Sequence, residues 1–117
     1  MTNAARMVAA MLICLGPWSI QAAAHDPSEP NAAWYKSLRS NRGEACCTAH
    51  RDCETVSDYR QSLVPGGYEA FWHGEWARVD PSAVLNRADN PTGLPVLCVH
   101  YLDGHPIARC FIRPTEG

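Results

Sequence analysis

The chain has 117 residues, six cysteines, and ten Lys/Arg against twelve Asp/Glu for a formal net charge of −2. That length excludes more than one ordinary domain. The scattered, slightly acidic charge leaves no basic stripe for a nucleic-acid backbone, so nucleic acid is not expected as a partner.

Residues 1–24 read as a signal peptide. Arg6 supplies the positive start, Met7 to Leu15 is a short apolar run, Gly16-Pro17 breaks it, and Ala22-Ala23-Ala24 offers small residues for cleavage. The run is shorter than the roughly 18–20 residues of a membrane span, so no stable insertion is expected once the leader is removed. Cys14 follows Met11-Leu12-Ile13, which lacks the small residue expected before a lipidated cysteine. Cleavage after Ala24 leaves 93 residues (117 minus 24), His25 to Gly117, as a single small exported domain. A domain of that size buries a modest core, and an oxidising periplasm or exterior lets covalent staples supplement it.

Residues 25–30 contain two prolines and read as a flexible arm. Asn31 is placed to cap a short helix with Trp34, Tyr35 and Leu38 on its apolar side, ending before Asn41-Arg42-Gly43. An irregular cysteine-rich loop follows. Val56 to Leu63 alternates weakly, and Pro65-Gly66-Gly67 is a turn. Tyr68 to Trp72 and Glu75 to Val79 flank His73-Gly74 as a hairpin. Asp80-Pro81 can open one helical turn, and residues 86–95 form a loop rich in Asn, Asp, Pro and Gly. Val96 to Leu102 and Ile107 to Ile112 make a second hairpin. A three-residue turn, Asp103-Gly104-His105, would set Cys98 opposite Cys110, whereas a two-residue turn would shift the register. Pro106 has no N–H to give, so this hairpin is expected at an edge or with a ragged start. The expected fold is mostly β within α+β: an antiparallel sheet of four or five strands with one short N-terminal helix, stapled by disulfides.

Cys46, Cys47, Cys53, Cys98 and Cys110 lie beyond the leader. Five thiols leave one odd, with five choices of the odd one and three pairings of the other four. Neighbouring Cys46 and Cys47 are expected to reach different partners, and the favoured framework ties the 46/47/53 cluster to Cys98 and Cys110. The odd thiol is available to link two chains as a dimer. A zinc site would need four ligands at a spacing the chain lacks, and no Cys-x-x-Cys redox motif is present.

Cleavage would make His25 the N-terminal residue, whose amine and imidazole can chelate copper with a further imidazole such as His50 or His100. Copper binding is therefore the alternative function. No Gly-x-Ser-x-Gly, His-Glu-x-x-His or phosphate-cradling glycine loop occurs, so catalysis is not expected except through an unrecognised site. Tyr68, Phe71, Trp72 and Trp76 crowd one hairpin, either as core or, through Tyr68, Trp72 and Trp76, as a surface for a protein or cell-envelope ligand. Trp72 and Trp76 are placed to pack on each other across the turn.

Trp34-Tyr35-x-Ser37-Leu38, Cys46-Cys47-x5-Cys53, Gly67-Tyr68, Trp76, Asn90-Pro91-Thr92-Gly93 and Arg109-Cys110-Phe111, in that order after a leader, resemble a group of uncharacterised small exported bacterial proteins. The resemblance implies one exported, cysteine-stapled domain and carries no activity. The function expected is a secreted or periplasmic binding module.

Overall fold

The computed structural model describes residues 29–48 and 52–115. A short helix α1 (Ala32–Ser37) precedes six strands: β1 (Cys53–Thr55), β2 (Tyr59–Gln61), β3 (Tyr68–Trp72), β4 (Glu75–Val79), β5 (Val96–Leu102) and β6 (His105–Ile112). One 3-10 turn, Pro81–Ala83, follows β4, with Asp80 before it and Pro81 at its first position as expected.

The strands form one sheet in the order β1-β5-β6-β4-β3-β2. The expectation of four or five antiparallel strands is corrected in two respects. There are six strands, because a separate strand β1 forms ahead of the weakly alternating run and only Tyr59–Gln61 of that run pairs as β2, leaving residues 56–58 as the link between two three-residue pieces. The sheet is also mixed, since β6 joins β4 in parallel through Arg78 and Ile107. The two consecutive strands β1 and β2 occupy opposite edges. With only three residues between them, the sheet must curl until its edges nearly meet. The His73 Nε2 at the β3–β4 turn reaches Glu54 Oε2 on β1 at 2.8 Å across that closure.

Alternation of side chains along the strands gives the sheet two different faces. The inner face gathers Ala70, Trp72, Ala77, Val79, Leu97, Val99 and Phe111, with Tyr59 and Tyr68 packed against them. The β1–β5–β6 part of the outer face carries Cys53, Val96, Cys98, Cys110 and Ile112, and α1 covers it with Tyr35 and Leu38. Asn31 stands at the helix start, but with φ 69° and no side-chain cap bond it contributes a left-handed turn rather than the expected cap. The helix stops at an extended Leu38, and Arg39 then bridges to Ala45 around a tight turn containing Gly43.

The β5–β6 hairpin departs most instructively from expectation. Its turn has two residues, Asp103 and Gly104, at φ 51° and 78°, and Leu102 faces His105. Such a turn alone would carry Cys110 off Cys98. A bulge after Cys98 inserts Arg109 as an unpaired residue and restores the register, so Cys98 does face Cys110. The hairpin is also central rather than at an edge, with β6 between β5 and β4. Pro106 is tolerated because the β4 bridge begins only at the following residue, Ile107.

Candidate functional site

Two regions gather chemistry: the cysteine cluster at one end of the outer face, and an aromatic patch at the other.

The strands bring Cys53, Cys98 and Cys110 into one row, because Cys53 faces Cys98 across β1–β5 and Cys98 faces Cys110 across β5–β6. The loop before β1 lays Cys46 and Cys47 over that row. Cys46 is bonded to Cys110, with Cα atoms 5.8 Å apart, and Cys53 to Cys98. Both links join the N-terminal cluster to the C-terminal pair, and the facing residues Cys98 and Cys110 are not bonded to each other. Cys47 also lies against Cys53, their Cα atoms 5.6 Å apart. The Sγ atoms of Cys47, Cys53 and Cys98 lie within 4.8 Å of one another. Cys53 and Cys98 are buried, whereas Cys47 is half-exposed.

An ion pair holds this loop in place. Arg109, the bulge residue, points its Nη1 at Asp52 Oδ2 at 3.0 Å and donates to the Cys46 carbonyl at 3.2 Å. Asp52 in turn accepts from the Thr48 amide at 3.0 Å and from the Thr48 hydroxyl at 2.6 Å. The side chains of Arg109 and Asp52 are 24% and 14% exposed, shielded enough for the pair to count. Neither residue was singled out from sequence as a site residue, and only the run Arg109-Cys110 drew attention to one of them.

The aromatic patch comes from the register of the β3–β4 hairpin. Its turn, His73-Gly74, has two residues as expected, which pairs Phe71 with Trp76 and Trp72 with Glu75. Trp72 and Trp76 consequently lie on opposite faces and cannot pack on each other. Trp72 is 4% exposed and donates from Nε1 to the Tyr101 hydroxyl at 2.9 Å, so it belongs to the core and not to a binding surface. Tyr68 is half-buried against Phe111, ring centroids 5.4 Å apart. Trp76 remains on the outer face with Phe71, edge to face at 5.3 Å. The Arg60 guanidinium stacks over the Trp76 ring at 3.9 Å and donates to Glu69 Oε1 at 3.1 Å. Arg60, Glu69, Arg78, Ile107 and His100 follow one another across five strands on this same face. Phe71 belonged to the aromatic group read from the hairpin, whereas Arg60 was not among the residues expected to bind; the turn length, once fixed, places both beside Trp76.

His25 and His50, the copper candidates of the N-terminus and the cysteine loop, lie outside the described residues. His100 is exposed on β5. Among the described residues, the three cysteines are the one group whose ligand atoms converge closely enough for a metal, and His100 is not part of it. No helix of the described residues is long and apolar enough to cross a membrane.

The buried Asn90 spends its polar atoms within the fold. Its amide donates to the carbonyls of Leu94 and Arg113 and its oxygen accepts from the Thr92 amide and hydroxyl, which fixes the 86–95 loop against the end of β6. Comparison with family models, with curated proteins and with solved structures returns no match for this chain.

Proposed function

We propose that this protein is a small secreted or periplasmic binding module that engages a protein partner of the cell envelope through the outer face of β2, β3 and β4. The observation that carries this reading is the Phe71–Trp76 pair with Arg60 stacked on it, on a part of the sheet that α1 leaves uncovered. Phe71 is 36% exposed, and Leu63 and Val64 are exposed at the adjoining β2–β3 turn. Tryptophan and arginine are the residues that most often dominate protein interfaces, because each combines a large contact area with a polar or charged edge. The disulfide framework supports the oxidising compartment.

The test is crosslinking in exporting cells with wild type and with the double variant Phe71→Ala/Trp76→Ala. The expected result is one envelope protein captured by the wild type and lost by the variant, with thermal midpoint and near-ultraviolet circular dichroism unchanged. Retained capture by the variant overturns the reading, and so does a collapse of its midpoint, which would assign both rings to the core.

A further inference from the structure

We propose that Cys47, Cys53 and Cys98 form a thiol–disulfide exchange site. Cys53 alternates between Cys98 and Cys47, so that the one free thiol of the domain moves between a reachable and a buried position. This is independent of the aromatic face.

The count comes first. Cys46 and Cys110 consume each other, which leaves three of the five described cysteines for one further bridge. All three sulfurs lie within 4.8 Å of one another, and Cys53 is next to both of the others. Cys53 has two routes to a partner: directly across the strand pair to Cys98, or back along the chain to Cys47 six residues earlier. One backbone conformation brings both partners into reach. The Cα separation is 5.6 Å to Cys47, inside the usual disulfide range, and 3.9 Å to Cys98, closer than most bridges span, so exchange is a matter of side-chain rotation. The clamp of Arg109, Asp52 and Thr48 holds the loop on both sides of Cys47 whichever bridge is closed.

The step balances without any added oxidant or reductant. In the form closed at Cys53–Cys98, the Cys47 thiol gives its proton to solvent and the thiolate attacks the Cys53 sulfur. The Cys47–Cys53 bond forms as the Cys53–Cys98 bond breaks, and the departing Cys98 thiolate takes up a proton. One disulfide and one thiol stand on each side. The two forms differ in exposure: the free thiol is half-exposed at Cys47 in the first and buried at Cys98 in the second. The domain therefore stores a nucleophilic thiol under its own helix and presents it by an internal shuffle.

The experiment uses processed, oxidised wild-type protein. One sample is quenched at low pH directly, and a second after long exposure to N-ethylmaleimide under native conditions. Both are digested with pepsin in acid, where exchange is stopped, and mapped without reduction. The expected result for the first sample is Cys46–Cys110 throughout, with Cys53 joined to Cys98 in some molecules and to Cys47 in others. In the second sample the label accumulates on Cys47, and essentially all Cys53 is joined to Cys98, because capping Cys47 withdraws it from the exchange. A single Cys53 partner in the first sample overturns the proposal, and so does a mixture whose proportions N-ethylmaleimide leaves unchanged.

Discussion

Asn90 shows how much of this small fold rests on one polar side chain. It is 5% exposed and takes part in four hydrogen bonds, two as donor to carbonyls and two as acceptor. Alanine there would leave the Arg113 carbonyl and the Thr92 amide without their partner, and the Leu94 carbonyl with the Thr92 hydroxyl alone. The expected cost for Asn90→Ala is about 2–4 kcal/mol, read from urea unfolding. The Arg87–Asp89 pair nearby gives a smaller, pH-dependent effect. A hydrogen bond from the Arg87 guanidinium lowers the Asp89 carboxyl from 3.8 to about 2. A depressed folded-state value stabilises the fold above the ordinary carboxylate range, and that contribution is lost as pH falls towards the folded value. Between pH values of about 4 and 2, wild type should therefore lose slightly more stability than Asp89→Asn, as followed by thermal melts. The Asp89 side chain is exposed, so the difference is small. These roles were only half legible in the chain. Asn90-Pro91-Thr92-Gly93 reads as a turn, but nothing local says that its amide will also meet Arg113, twenty-three residues on.

At the scale of elements, the strands with strong local signals fell where the pattern put them. The β3–β4 hairpin and the span of β5 match their expected bounds because alternating apolar residues and a Gly-containing turn specify them locally. What alternation could not supply was turn length in the second hairpin or the bulge that compensates for it. Cys98 facing Cys110 was expected from a three-residue turn and is reached instead by two residues plus Arg109. Deleting Arg109 makes the compensation testable. With the extra residue gone, Ala108 still faces Val99 and Cys110 still faces Cys98, so the two strands pair without interruption and Phe111 keeps its place in the inner core. The expected outcome is a Cys46–Cys110 bridge that persists in non-reducing peptide maps, and its loss would show that the register depends on more than the count of residues. Of the two readings of Pro106, an edge position or a ragged start, the edge failed for a related reason: proline excludes a ladder bond at its own residue and says little about the strand beyond it, which pairs with β4 at Ile107. On the outer face, the aromatic crowding was visible in the chain, but which tryptophan was buried followed from register alone.

For the whole molecule, the two long-range bridges span 64 and 45 residues, joining the loop before β1 to β6, and β1 itself to β5. Each restricts the unfolded chain by about 4 kcal/mol on the chain-entropy account. The double variant Cys46→Ser/Cys110→Ser should accordingly lose about 4 kcal/mol in urea unfolding, with the Cys53 linkages still detectable in its peptide map. The general framework was readable from five cysteines grouped at two ends of a short chain. The convergence of three sulfurs was not, since it depends on β1 lying beside β5 rather than beside β2. That strand order has a further consequence. The sheet's two free borders are the three-residue strands β1 and β2. Each presents too short a ladder to recruit an extended segment from another copy, and β1 is in addition tethered by Cys53. A β-rich protein built in this way offers poor seeds for fibril growth, and it should stay dispersed at concentrations where a sheet with long open borders would begin to aggregate.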